Sequence, residues 1–189
     1  MLQIGKLKHT FQTYWDDMAR CRQSKAYWSL LHVTVCLPDI CAALQSYNGK
    51  TGGPLYIDWC DKYLKNPMLS GVERYRMRCK VLHQGRAKTD KPGRYAGFAF
   101  GQPSETGMID HLRVEEGILH LDVGELVKEM KGAVEAWIQS LEARNTSADA
   151  LNVEKNLISI VRVSQFTVPS QTMTTSGVTI QTVTIKKTN

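Results

Sequence analysis

The most regular stretch of the sequence is a run of apolar residues at helical spacing between residues 122 and 143. Its members are Val123, Leu126, Val127, Met130, Val134, Trp137, Ile138 and Leu141. Residues three and four apart share one face of an α-helix, so the run predicts a long helix over Asp122–Ala143 with one buried face. A helix of this kind is stable only against partners with matching apolar faces.

Four earlier segments of the chain can supply such partners. Each has apolar residues at helical spacing, and the breaks between them carry Gly, Asn or Pro. Pro38 is expected to kink or divide the second segment, because proline removes a helical hydrogen bond. Ser70 and Glu73 form the pattern of a capping box at the start of the fourth. The predicted helices are Lys8–Ser24, Ala26–Leu44, Leu55–Leu64 and Ser70–Gln84.

The rest of the chain lacks helical periodicity. Residues Arg86–Gly107 are rich in Gly and Pro and predict a loop, and Ile109–Leu121 is ambiguous but has room for two short strands. After a polar linker, Asn156–Val163 and Gly177–Lys186 alternate and are β-branched, as strands are. We therefore predict a mainly α fold, with a four- to five-helix bundle over residues 1–145 and a small C-terminal β-hairpin or β appendage over 146–189.

Composition narrows the class of protein. The 189 residues carry a formal net charge of +6, which raises the expectation of a polyanionic partner. Five cysteines without a CxxC pair argue against a disulfide framework or a zinc ribbon. The N-terminus lacks the apolar core of a signal peptide, and the longest apolar region, Trp28–Leu44, falls short of a membrane span. We expect a soluble cytoplasmic protein without metal, cofactor or membrane partner.

Positive charge is concentrated in one segment. Eight cations lie between residues 74 and 94, opposed only by Glu73 and Asp90. Such a cluster is a candidate phosphate-binding surface, although a solvated helix face followed by a basic loop gives the same pattern. The eight cations are Arg74, Arg76, Arg78, Lys80, Arg86, Lys88, Lys91 and Arg94. The residues that we expect to contact RNA are Arg74, Lys80, Arg86 and Lys88.

Arg78 and His83 are the candidate catalytic residues within this cluster. A neutral histidine is able to take a proton from a ribose 2′-OH, and an arginine is able to stabilise the charge that develops on the attacked phosphate. The alternative is a histidine that interacts with carbonyl groups at the helix C-terminus. Residues five apart lie about 140° apart around a helix, so the pair does not share a face by spacing alone. A turn of the backbone at the helix end, the length of the arginine side chain, or a dimer of two such helices would bring the two residues together.

Two further residues, Asp39 and Cys79, each have two possible roles. Asp39 either pairs with Arg78 or orients His83, or it caps the part of the second helix that restarts after Pro38. Cys79 shares a helix face with His83 and is either a reactive thiol beside cations or a buried structural thiol. Asp39 and Cys79 are therefore expected as orienting residues of the candidate site.

The segment Arg78-Cys79-Lys80-Val81-Leu82-His83, near the end of a helix in a small bundle, resembles the Arg-x4-His motif of the HEPN superfamily. The segments 37–41, 56–63 and 119–123 resemble uncharacterised bacterial HEPN-like proteins, and the resemblance covers roughly residues 5–143. It implies a bundle that dimerises with its paired motifs in one cleft. In the family the residue after the arginine is commonly Asn, Asp or His, and Cys79 departs from that pattern.

The resemblance implies a metal-independent endoribonuclease of a toxin or phage-defence type, acting as a homodimer on RNA and controlled by an antitoxin or defence-system partner protein. Arg78 and His83 would be its catalytic residues. One alternative is a non-catalytic HEPN module that binds RNA, nucleotide or a partner protein. Another is a structural protein whose basic cluster is mere surface.

Overall fold

The computed structural model describes residues 1–84, 93–102, 110–160, 170–175 and 178–183, with side chains for 1–82, 93–102 and 110–160. Two units are distinguished, residues 1–158 and residues 159–189. The described part of the first unit is mainly helical, with a small three-stranded sheet. Its elements are α1 (Ile4–Gln23), α2 (Tyr27–Gln45), α3 (Gly53–Tyr63), α4 (Gly71–Gln84), β1 (Gly97–Gly101), β2 (Arg113–Glu115), β3 (Ile118–Asp122), α5 (Val123–Glu142) and α6 (Ala148–Leu157).

Helix α2 is the centre of the bundle. It packs against α1, α3, α4, α5 and α6, and this explains its apolar sequence. Pro38 lies inside the helix and does not divide it. The expectation that Trp28–Leu44 falls short of a membrane span was wrong by length and composition: within the described residues, α2 is the one helix long and apolar enough to cross a membrane, and half of it is buried inside the protein. Burial of this kind is expected for the core helix of a bundle.

The ends of the helices follow their sequence signals. The Oγ of Ser70 accepts a hydrogen bond from the backbone N–H of Glu73 at 3.3 Å, as half of a capping box does. Asp122 caps α5 in the same way through the N–H of Glu125 at 3.0 Å. Trp137 of α5 is fully buried and meets the ring of Phe11 edge-on at 5.6 Å between centroids. The predicted apolar face of α5 is thus the face that packs inside the bundle, against α1, α2 and α3.

The sheet stands before α5 in the chain. β3 pairs in parallel with β1 and antiparallel with β2. Glu116 and Gly117 connect β2 to β3, and both have positive φ, the conformation of a type I′ hairpin turn. The two strands that were considered for Ile109–Leu121 are therefore present. The loop prediction for Arg86–Gly107 was wrong over residues 97–101, which form β1.

Helix α6 occupies a region for which the sequence predicted no helix. Its side-chain amides cap the C-terminal end of α2: Asn156 Nδ2 donates to the carbonyl oxygens of Leu44 and Ser46 at 3.0 and 2.7 Å, and Asn152 Nδ2 donates to that of Gln45 at 3.1 Å. The predicted boundary after residue 145 and the predicted strand from Asn156 are corrected by this helix. In the structure the first unit continues to Ile158 because α6 packs on α2.

The described part of the second unit is a pair of antiparallel strands. β4 (Ser170–Thr175) pairs with β5 (Val178–Val183), in a register that sets Thr175 opposite Val178. The predicted strand Gly177–Lys186 overlaps β5, and its remaining residues lie outside the described ranges. The β-branched alternation of this segment therefore corresponds to a β-hairpin.

Candidate functional site

The predicted basic cluster begins on α4, and its first member is an interior residue. The side chain of Arg74 is only 2% exposed. Its Nη2 lies 2.7 Å from Glu129 Oε2 of α5, and its Nε donates to the carbonyl oxygen of Leu69 at 3.1 Å. A guanidinium in this position is enclosed by protein and does not reach a phosphate in solvent. The expectation that Arg74 contacts RNA is therefore corrected to a structural role.

Glu129 connects Arg74 to two other parts of the fold. Its Oε1 accepts from Asn66 Nδ2 at 3.0 Å and lies 3.6 Å from Nε2 of His111. Burial raises the pKa of Glu129, but the charge and hydrogen bond of Arg74 outweigh it, so the net shift is downward. Nδ1 of His111 accepts from the backbone N–H of Asp122 at 3.2 Å. This network links α4, α5 and the loop before β2, and no residue spacing predicts it.

One turn further along α4, Arg78 has a different environment. Its Nε donates to Asp39 Oδ2 of α2 at 2.7 Å, and the two side chains are 20% and 14% exposed. Burial acts to lower the pKa of Arg78, and the hydrogen bond and charge of Asp39 more than offset it. Because α2 is continuous through Pro38, Asp39 does not start a new helix. Of the two alternatives for Asp39, pairing with Arg78 is therefore the one that the structure has.

Cys79 and Tyr75 lie on the same side of α4 as this ion pair. The Sγ of Cys79 is 4.0 Å from Arg78 Nη1. A side-chain hydrogen bond with Cys79 is the main cause of a raised pKa at Tyr75, whose ring packs against that of Tyr56 at 5.5 Å between centroids. Cys79 is half-buried. Sequence reasoning did not include Tyr75, although it is three residues before Arg78 and four before Cys79.

The remaining candidate residues are described to different extents. Lys80 is half-buried on α4. The backbone of His83 is in the last turn of α4, and its side chain lies outside the described residues, as do Arg86 and Lys88 entirely. Since α4 continues to Gln84, the helix keeps its period through His83. Arg78 and His83 of one copy thus remain about 140° apart around the helix axis.

Comparisons with known proteins add no family to this geometry. No family model, no curated protein and no solved structure matches the chain. In the part of the chain that the structure describes, no three His, Cys, Asp or Glu side chains are grouped to hold a metal ion. The local geometry of α2 and α4 is consequently the basis for a functional proposal.

Proposed function

We propose that this protein is a HEPN-like, metal-independent endoribonuclease that acts as a homodimer. The observation that carries the proposal is the hydrogen bond by which Asp39 holds Nε of Arg78, near the middle of α4 and five residues before His83. A guanidinium held by one edge loses less rotamer entropy when another edge binds a phosphate oxygen. Of the two described arginine–carboxylate pairs between α4 and another helix, this one has the more exposed arginine side chain.

The proposed reaction is an internal transesterification of RNA. His83 takes the proton from a ribose 2′-OH, and the 2′ oxygen forms a bond to the adjacent phosphorus. The bond from phosphorus to the 5′ oxygen breaks, and that oxygen takes up a proton from an imidazolium or from water. Arg78 stabilises the additional negative charge on the phosphate during the transfer. The products are a 2′,3′-cyclic phosphate and a 5′-hydroxyl end.

A dimer is part of the proposal because of the helix period. The Cα atoms of Arg78 and His83 lie about 140° apart around the axis of one copy of α4. Two copies of α4 that face each other would bring Arg78 of one protomer toward His83 of its partner. A toxin or phage-defence role, with a partner protein that restrains cleavage, is proposed along with the dimer.

Cleavage of RNA in the presence of EDTA tests the proposal. We expect purified protein to cut mixed RNA under these conditions, and Arg78→Ala and His83→Ala to lose that activity. Matched controls are Arg113→Ala, which removes an exposed arginine of β2, and His9→Ala, which removes an exposed histidine of α1. Absence of cleavage by the unaltered protein, or undiminished cleavage by His83→Ala, would contradict the enzyme proposal.

A second function, RNA binding without turnover, is favoured by the immediate surroundings of Arg78. Asp39 already accepts from its guanidinium, and Cys79 stands where a polar side chain is common in the family. This alternative predicts RNA binding that weakens as salt increases, with no cleavage products. In that case Arg78→Ala and Lys80→Ala should reduce the salt dependence of binding relative to the unaltered protein, whereas Arg74→Ala should act through stability.

A further inference from the structure

Helix α2 has a half-exposed outer face that leads away from the Arg78–Asp39 pair. Trp28, His32, Cys36 and Asp39 fall within an arc of about 80° around its axis, at 100° per residue. All four are at least partly exposed. The residues on the opposite side of the same helix are buried: Leu30, Thr34, Leu37, Cys41 and Leu44. The outer face is therefore a continuous strip from the ion pair to the start of α2.

Helices α1 and α4 both pack against α2. Burial raises the pKa of Cys36, and Asp39 and Arg78 also act on it, in opposite directions. The pKa of Tyr14 on α1 is raised by burial first, and then by Cys41 and Cys36. Cys36 is half-buried and lies one turn before Asp39 on the strip.

The far end of the strip has an exposed aromatic pair. Trp28 is 55% exposed, and its ring meets that of His32 edge-on at 4.8 Å between centroids. The Nδ1 of His32 lies 2.7 Å from the carbonyl oxygen of Trp28. Because a carbonyl oxygen only accepts, Nδ1 carries the proton, and the ring is held beside the indole. An indole that is 55% exposed is a stacking surface for a planar group.

The charges around the strip favour a polyanion. Arg22 in the last turn of α1 and Lys25 in the turn to α2 are exposed and precede Trp28 in the chain, and Arg78 lies at the other end of the strip, beside Asp39. Asp17 pairs with Arg20, and Asp39 shares the positive charge of Arg78. A polynucleotide satisfies both features, since its phosphates suit the cations at either end and its bases stack on aromatic rings.

We propose that a single polynucleotide strand runs along the outer face of α2, with a phosphate at Arg78 and a base stacked on Trp28. The inference rests on the proposed function and adds to it a second contact that the catalytic motif does not contain. Trp28 and Asp39 are eleven residues apart, which corresponds to about 16 Å along the helix. A mononucleotide bound at Arg78 therefore does not reach Trp28, whereas an oligonucleotide does.

Intrinsic fluorescence tests this directly in the full chain. The protein has four tryptophans; Trp59 and Trp137 are buried and Trp15 is half-buried, so Trp28 is the most accessible. We expect an oligouridine of about eight nucleotides to quench the emission, and uridine monophosphate to leave it nearly unchanged. In Trp28→Phe most of the quenching should disappear, whereas Trp15→Phe should retain it.

Binding of the same oligouridine, followed by fluorescence anisotropy of a labelled strand, gives the second readout. We expect Trp28→Ala to weaken it about tenfold, while Tyr47→Ala, which removes an exposed ring elsewhere, leaves it unchanged. Binding that depends on Arg78 but is unaltered in Trp28→Ala would overturn the strip and leave the proposed function intact. Failure of the unaltered protein to bind at all would overturn both.

Discussion

Two arginines one turn apart on α4 have opposite environments. Arg74 and Arg78 each pair with a carboxylate from another helix, at 2.7 Å in both cases. Arg74 is enclosed and also bonded to the carbonyl oxygen of Leu69, while one-fifth of the Arg78 side chain remains exposed. Arg74 therefore holds the helices of the bundle together, whereas Arg78, four residues later, contributes to a candidate binding surface.

The difference lies in what surrounds each pair. Glu129 receives hydrogen bonds from both Arg74 and Asn66 and is close to His111, so that loss of one member leaves a charge within a polar network. The Arg78 side chain is 20% exposed against 2% for Arg74, so water is able to replace its guanidinium beside Asp39 at less cost. Loss of Arg74 should therefore reduce stability more than loss of Arg78. Loss of Arg78 should reduce RNA cleavage or RNA binding more than loss of Arg74.

The largest expected effect on stability is that of Arg74→Ala. It leaves the Glu129 carboxylate without its main partner inside the fold, and we expect the free energy of unfolding to fall by about 3 kcal/mol. Urea denaturation followed by circular dichroism measures the change. Arg74→Lys should recover only part of it, because one ammonium group does not replace donors to both Leu69 and Glu129. If Arg74→Ala lowers the free energy of unfolding no more than Arg78→Ala does, the two arginines do not differ in their contribution to stability.

A smaller effect is expected from acid, through Glu129. Its pKa is lowered in the folded state, so its carboxylate stabilises the fold above its ordinary pKa, and that contribution is lost as the pH falls through the folded value. Between neutral pH and about pH 3, the free energy of unfolding should therefore fall more steeply for the unaltered protein than for Glu129→Gln. Parallel declines would show that Glu129 does not contribute to acid sensitivity.

Arg78→Ala is expected to change stability by about 1 kcal/mol or less, because its ion pair is partly exposed. The same variant should lose most RNA cleavage, or most RNA affinity if the protein binds without turnover. Denaturation and RNA assays on one preparation check both statements. A large loss of stability together with intact RNA binding would reverse the roles assigned to the two arginines.

Asp39→Asn should have the smallest effect on folding, a few tenths of a kcal/mol. The amide is still able to accept from Arg78 Nε, but it no longer attracts the guanidinium by charge. We expect RNA affinity to change more than stability does, since the variant alters how Arg78 is held. An Asp39→Asn variant that matches the unaltered protein in affinity, cleavage and salt dependence would argue against an orienting role for Asp39.

Sequence periodicity anticipated most of the helices and little of the tertiary arrangement. The segments with apolar residues three and four apart became α1 to α5, with ends that differ by a few residues, because their periodic apolar faces are recorded in local sequence. β1 was missed since a short strand of Gly, Phe and Ala depends on β3, about twenty residues away. α6 was missed since its role is to supply Asn152 and Asn156 to the end of α2.

In the candidate site, too, the sequence indicated which residues matter but not how their surroundings differ. The sequence identified Arg78, Cys79 and Asp39 as neighbours of interest, and the structure brings Arg78 to Asp39 and Cys79. The sequence pattern also predicted, wrongly, that Arg74 lies on the surface. Charge and spacing alone do not tell Arg74 from Arg78, because the distinction comes from Glu129 and Leu69, which are far apart in the sequence. Burial of an arginine is a property of its neighbours in space.

The cap that α6 places on α2 has a consequence for the order in which the fold is completed. Ser46 and Asn156 are 110 residues apart, and the end of the central helix is satisfied by the last helix of the unit. A chain made from its N-terminus therefore has α2 well before the amide that closes it. Until α6 arrives, water must hydrate the last carbonyl groups of α2, and the bundle should gain its final cooperativity only when residues 148–157 dock.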